Sequence, residues 1–354
     1  MIRAIFSSQS SSWNLVERVV FPAPPPSYTI HSFPGELILI PREGGANVPC
    51  LFLPFQHARF LMMFFHANAE DLGLIYNFCT ILKDLFQVNV LAVEYPGYGI
   101  CPGASTEEGI MANAEAAMDF AIETLGVAQN DILLFGRSLG TGPTVALASR
   151  YHQIAGVVLV SPFTSIKELF QRRVGRIAEF LEDRFANLTL ASKISSPTLI
   201  IHGLQDVLVP PEHGRKIYAS IQTKRMLVTP VSMTHNSSLL RDVASFVMPM
   251  TSFFALPDYA FENVRVPDWA YPPKDLPPGS LMDRKDGTAL WNCSRCCNRL
   301  GGSDEAVVEP ISRLKTDDLN EPVSLESAGV RFDSASDVSA SMGFGSPPSD
   351  LLST

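Results

Sequence analysis

Eight short apolar runs, spaced by longer amphipathic stretches, constrain this chain more than any other feature. They fall at Glu36 to Pro41, Val48 to Pro54, Arg59 to His66, Val88 to Glu94, Asp131 to Gly136, Gly156 to Ser161, Pro197 to His202 and Arg225 to Pro230. Most are continuously hydrophobic, as in Leu61-Met-Met-Phe-Phe65 and Val157-Val-Leu-Val160. A strand with water on one face alternates polar and apolar residues, so continuous runs predict strands covered on both faces. The stretches between them read as helices at Leu72 to Phe86, Thr106 to Leu125 and Gly140 to Tyr151. Strands joined by crossover helices predict an α/β fold, a mostly parallel central sheet flanked by helices on both faces.

This pattern occupies residues 36–256, read as one domain. Residues 1–35 are a lead-in whose Phe21-Pro-Ala-Pro-Pro-Pro26 run excludes helix and reads as extended chain on a surface. Residues 257–300 are a Pro-rich segment. Residues 301–354 carry 11 serines, 10 acidic residues and 3 basic ones, a composition that predicts a disordered acidic tail. That tail holds −7 of the formal charge of −9 and leaves −2 for the first 300 residues, so the charge balance gives no sign of a nucleic-acid partner. No stretch approaches the roughly 20 apolar residues of a membrane span, and the first residues lack the apolar core of a secretory signal. Both features argue against transmembrane and secreted forms. The 6 cysteines are too few and too unevenly spaced for a disulfide framework, which suits a reducing compartment.

Gly136-Arg-Ser-Leu-Gly140 follows the apolar run Ile132 to Phe135 and opens the helical stretch that begins at Thr141. A serine at a sharp strand-to-helix turn projects its hydroxyl above the sheet edge, and the flanking glycines let strand and helix approach closely. A serine hydroxyl is a weak nucleophile at neutral pH. It needs a base, and an acid that holds the base in one tautomer. In α/β hydrolases the partners follow in the order Ser, Asp, His. Asp206 lies just past the run ending at His202, and His235 just past the next run, both at the strand ends where Ser138 also lies. The candidate catalytic set is therefore Ser138, Asp206 and His235. Two backbone amides complete such a site by stabilising the oxyanion; Leu139, after the serine, and Asn68, in the His66-Ala-Asn-Ala69 turn, are the candidates. Glu70 and Asp71 read as acids of the first turn of the following helix, matched to its dipole. Glu94-Tyr-Pro-Gly-Tyr-Gly99 reads as structural or pocket-lining.

His66-Ala-Asn-Ala-Glu-Asp-Leu-Gly73, Glu94 to Gly99, Gly136-Arg-Ser-Leu-Gly-Thr-Gly-Pro143, His202-Gly-Leu-Gln-Asp206 and Thr234-His-Asn236 occur in this order. Together, over about residues 20 to 256, they resemble the ABHD17-type (FAM108) branch of the α/β-hydrolase fold family. The resemblance implies a serine hydrolase that removes palmitate from cysteines of membrane-associated proteins, with Ser138, Asp206 and His235 as its triad and no cofactor or metal. The chain departs from the family pattern at Ala67, where glycine is usual, and at Thr234-His235-Asn236-Ser237, where the family has a Gly-His-Asn-Asp-like run. A β-carbon at position 67 is expected to affect the oxyanion loop and hence the rate.

Two further segments bear on substrate and location. Between Ser161 and Pro197 lies a short insertion in which Phe170, Val174, Ile177 and Leu181 share a helical spacing, with Arg172, Arg173 and Arg176 nearby. It reads either as a small lid facing an acyl chain or anionic lipid, or as a helix packed on the sheet. The insertion is too short for a large cap domain, so an open groove for a large substrate follows. Cys293, Cys296 and Cys297 cluster beside Arg295 and Arg299. The family carries its acylated cysteines near the N-terminus, so acylation here is an analogy of chemistry and not of position. An unmodified exposed cluster and a metal site stand as alternatives, the latter one ligand short of a tetrahedral set. The expected partners are an S-acylated protein or acyl-ester substrate and a peripheral membrane contact, without nucleic acid. The expected location is cytoplasmic, on the cytosolic face of membranes. A lipid or small-ester esterase and a catalytically weak hydrolase-fold binding protein remain as alternatives.

Overall fold

A computed structural model describes residues 20–174 and 183–274. The chain divides into Met1–Leu300 and Gly301–Thr354, and every described residue lies in the first unit. Eight strands form one sheet, β1 (Leu37–Ile40), β2 (Val48–Leu53), β3 (Leu61–Phe65), β4 (Asn89–Val93), β5 (Ile132–Arg137), β6 (Gly156–Val160), β7 (Thr198–Ile201) and β8 (Arg225–Val228), in the order β1-β2-β4-β3-β5-β6-β7-β8. The β1–β2 and β2–β4 pairs are antiparallel and the other five are parallel. Each of the eight apolar runs carries one strand, β5 continuing one residue past its run to Arg137.

The parity of the strands explains why those runs are continuous. Met63 and Phe65 face a core completed by Ile110, Met111, Ala114, Val145, Leu147 and Ile217. Met62 and Phe64 face the opposite core, with Leu72, Ile75, Cys79, Leu82, Phe86 and Met250. The first face is covered by α2 (Glu107–Asp119), α3 (Thr141–Arg150) and, after α4 (Ile166–Val174) and the short α5 (Asn187–Ala191), by α6 (Pro211–Ser220); the second is covered by α1 (Leu72–Phe86) and α7 (Val247–Phe254). With both faces of the sheet shielded, neither parity has reason to be polar.

Helix starts obey local chemistry. Asp71 caps α1 by accepting the Leu74 N–H at 3.0 Å, and Thr106 caps α2 by accepting the Gly109 N–H at 3.0 Å. The helix read over Thr106 to Leu125 is α-helical to Asp119 and widens into one π-helical turn over Phe120–Thr124.

The Pro-rich run lies on the surface without helix, with Pro22, Ala23, Pro25 and Pro26 exposed, but the residues on either side of it are anchored. Val20, Phe21, Tyr28 and Ile30 are buried in the two cores. The Tyr28 hydroxyl donates to Glu94 at 2.9 Å, and the Ser27 N–H and hydroxyl both donate to Asp71. The Pro-rich run does exclude helix, but its apolar flanks had no other place to be sheltered from water. Beyond Leu256 the chain also stays attached, through Asp258 on Arg59 at 2.7 Å and a bridge from Tyr259 to Ala58. Of the insertion, α4 and α5 are described; Arg176, Ile177 and Leu181 lie outside the described residues, as do Cys293, Cys296, Cys297, Arg295 and Arg299. No helix among the described residues is long and apolar enough to cross a membrane.

Candidate active site

The sheet brings the candidate residues to one edge. Phe65 pairs with Gly136 and Ile201 with Val228, so the turns after β3, β5, β7 and β8 all leave at the C-terminal ends of parallel strands. Ser138 follows β5 immediately, with φ 51° in the left-handed region, a conformation an L-residue adopts at some cost. A Cβ at Gly136 would run into Gly140 and Thr144, and one at Gly140 into the Phe65 carbonyl, so Gly136 lets β5 meet the start of α3 and Gly140 lets that turn lie against the end of β3. Thr141 and Thr144 fasten the turn by donating to the Ser138 and Gly140 carbonyls at 2.7 and 2.8 Å.

Above this turn the three candidates meet. The Ser138 hydroxyl lies 2.9 Å from His235 Nε2, and His235 Nδ1 lies 2.8 Å from Asp206 Oδ2. All three side chains are buried. With Nδ1 donating to the carboxylate, Nε2 is left as the acceptor for the serine hydroxyl, the tautomer a general base requires. Asp206 also accepts the Leu208 and Val209 N–H groups at 3.0 and 2.8 Å. Burial pushes its carboxyl up, but the His235 hydrogen bond and charge, with the Val209 amide, outweigh this and hold it below the ordinary carboxylate range. His202, 3.6 Å from the same carboxylate, also has its pKa lowered, in its case by burial, which favours the neutral ring; its Nε2 donates to the Val209 carbonyl at 2.8 Å. His235 is thus the imidazole that hydrogen-bonds the carboxylate.

The turn after β3 is organised by a side chain whose role the motif reading left open. Glu94 is fully buried and accepts four hydrogen bonds, from His66 Nε2 at 2.9 Å, the Tyr28 hydroxyl at 2.9 Å, and the Leu72 and Tyr95 N–H groups at 3.1 and 3.2 Å. His66 Nδ1 lies 2.9 Å from the Ala67 carbonyl, so both ring nitrogens face acceptors. Burial alone would strip the proton from His66; the Glu94 hydrogen bond and charge, aided by the Ala67 carbonyl and Glu70, more than offset it and raise the pKa. Asn68 is pinned through its side chain, which accepts from the Tyr98 hydroxyl at 2.6 Å and donates to the Val20 carbonyl at 2.8 Å. With the side chain so engaged, the group Asn68 would offer as an oxyanion donor is its backbone N–H. The Ala67 N–H is committed to Glu70 at 3.0 Å.

Asp71 caps α1, but Glu70 does not; it turns back to accept the Ala67 N–H in the turn after β3. Ala67 itself is outside the left-handed region, and the positive φ of this turn falls at Ala69, at 60°. The β-carbon that departs from the family pattern thus meets no backbone penalty at position 67.

A pocket of about 360 Å³ opens over the serine. Ala67, Asn68, Ser138, Leu139 and His235 form its reacting end, and Val20, Pro22, Phe163, Ile166, Leu169, Leu208 and Val209 its apolar wall. The volume lies within the roughly 300–1,000 Å³ typical of small-molecule sites. The Val20–Pro22 stretch of the lead-in and α4 of the insertion both contribute to it. Among the described residues, no group of three or more His, Cys, Asp or Glu side chains is placed to hold a metal ion.

Residues 61–193 match the family model described as the alpha/beta hydrolase fold. The chain is 34% identical over 179 residues to human alpha/beta hydrolase domain-containing protein 17B, and 36% identical over 177 residues to protein 17C of Xenopus laevis. The chain thus has the α/β-hydrolase fold and is similar in sequence to these proteins. Each match covers 50% of this chain, and 61% and 56% of the respective relative. An α/β hydrolase from Vibrio vulnificus superposes on the hydrolase domain with a TM-score of 0.51 at 17% identity, covering 61% of this chain and 80% of that one, a likeness of fold.

Proposed function

We propose that the hydrolase domain cleaves acyl thioesters or esters through an acyl-enzyme on Ser138, and that its substrates are S-acylated proteins at a membrane surface, from which it removes palmitate. The observation that carries the reading is the Ser138–His235–Asp206 hydrogen-bonded series at the mouth of an apolar pocket. In this scheme the Ser138 oxygen attacks the acyl carbonyl while His235 Nε2 takes its proton, and Asp206 stabilises the imidazolium that forms. The Asn68 and Leu139 N–H groups receive the oxyanion. Collapse breaks the C–S or C–O bond, and Nε2 returns the proton to the departing thiolate or alkoxide. A water molecule, deprotonated by the same nitrogen, then attacks the acyl-serine and releases the fatty acid. One water is consumed per bond cleaved, and no co-reactant is needed.

The apolar wall supports an acyl chain as the recognised group, and the resemblance to the ABHD17-type branch supports palmitoyl-cysteine as its source. The same reading assigns Cys293, Cys296 and Cys297 as the acylated anchor, because two or three chains beside basic residues bind a bilayer stably where one does not. A fluorophosphonate probe should label the wild-type chain and spare Ser138→Ala. Turnover across thioesters and esters of graded length should rise toward long-chain thioesters, whereas activity confined to short esters would favour a small-ester esterase.

A further inference from the structure

The three turns of the proposed site have unequal support. The serine turn and the acid turn leave β5 and β7, interior strands buried along their length apart from half-buried Arg137. The His235 turn leaves β8, the edge strand, whose four residues are only half-buried. After Val228 no regular structure follows until a short turn at Leu239–Arg241, so His235 stands on irregular backbone. From the acid turn, the Leu204 and Gln205 N–H groups donate to the Pro230 and Met233 carbonyls at 3.0 and 3.1 Å and Gly203 packs against the Met233 carbonyl, while Thr234 and Ser237 bond to one another.

A further tie comes from the strand that carries the nucleophile. Arg137, directly before Ser138, sends Nη2 to the His235 carbonyl at 3.1 Å and to the Ser237 carbonyl at 3.4 Å. Its Nη1 lies 4.0 Å from Glu70 Oε1, and the other oxygen of that carboxylate accepts the Ala67 N–H. The side chain is 16% exposed, which favours the charge-assisted bonds over competing water.

We propose that Arg137 is a positioning residue for the hydrolytic step: its planar guanidinium locks the edge-strand turn bearing His235 to the serine turn and, through Glu70, to the oxyanion turn. This rests on the hydrolase reading above. Arg137 stands between Gly136 and the nucleophile. An arginine there is explained by its reach to two carbonyls and a carboxylate at once, which a lysine ammonium on a flexible stem does not reproduce. Misplacing a catalytic base slightly is enough to lose most of the benefit of proximity.

The test uses the full chain with a p-nitrophenyl ester and the fluorophosphonate probe. Arg137→Gln should lower kcat about 10- to 100-fold, slow probe labelling in parallel, and leave KM within about threefold. Arg137→Lys should recover part of the loss, remaining about three- to tenfold below wild type. Glu70→Gln should cost less, and combined with Arg137→Gln should add little, because both act through one bridge. A kcat within twofold of wild type for Arg137→Gln, or a loss confined to KM, would overturn the proposal. If Arg137→Gln fails to fold, Arg137→Lys decides: wild-type kcat overturns the proposal and a reduced kcat at unchanged KM supports it. Failure of the hydrolase reading shows separately, as a wild-type chain that neither turns over ester nor takes the probe, and this inference falls with it.

Discussion

The serine turn and the histidine turn sit at the same sheet edge and are built by opposite means. The serine turn is fixed by exclusion: β5 is buried, a Cβ at Gly140 has nowhere to go, and Ser138 is held at φ 51° because β3 and α3 leave no other path. The histidine turn, on a half-buried edge strand, is packed closely at one point, Gly203 against Met233, and is otherwise fixed by polar ties to Arg137, Leu204, Gln205 and Asp206. Packing tolerates little change but needs no particular partner atom. Polar ties tolerate changes of shape and fail when a single donor or acceptor is lost. Substitutions in the histidine turn's supports should therefore alter rate without unfolding, whereas those in the serine turn should alter both.

The largest effect expected is at the acid. Asp206→Asn should lower kcat by about four orders of magnitude with the fold intact, since an amide favours the wrong imidazole tautomer. Near-wild-type turnover would mean that another group orients the base, and the polar side of the comparison would fail. On the packed side, Gly140→Ala should destabilise the domain by about 3 kcal/mol or more in chemical denaturation, because backbone must move to admit the methyl group. A stability loss below about 1 kcal/mol would show that the serine turn is looser than its sterics imply.

Glu94→Gln probes a third region, in which a polar hub is wholly inside the core. The raised pKa of His66 sets the sign: its pairing contributes fully below about pH 6.5, the unfolded value, and is lost as pH rises through the folded one. The difference in stability between wild type and Glu94→Gln should thus be greatest near pH 6, at about 2 kcal/mol, and shrink toward alkaline pH. A difference independent of pH would mean that His66 is neutral in the folded chain. The smallest effect is at position 67. Because Ala67 lies outside the left-handed region, Ala67→Gly should leave kcat within about twofold, and a clear gain would show that the methyl group strains the oxyanion turn.

The eight strands were legible because burial on both faces writes itself as unbroken hydrophobicity, and the serine turn because its steric demands leave glycines at fixed spacing. Other features left fainter marks. Helix α6 buries only His213, Gly214 and Ile217, too few apolar positions for a periodic signal, and α7 carries Pro249 in its first turn. The lead-in's attachment depends on isolated side chains such as Phe21 and Tyr28, which a Pro-rich context disguises. Glu70, Glu94 and Arg137 act through contacts 3 to 100 positions away, and no local pattern distinguishes such a side chain from a cap, a lining residue or a solvated charge.

The central claim is that Ser138 forms an acyl-enzyme. Its most direct test is the mass of the intact chain, quenched in acid within seconds of mixing with a long-chain acyl thioester, followed by mapping of the modified peptide. The expected result is a transient adduct of one acyl group on Ser138 in the wild type, accumulating in His235→Ala only slowly and in Ser138→Ala not at all. An adduct of equal yield in Ser138→Ala, or sustained thioester turnover by that variant, would contradict the claim.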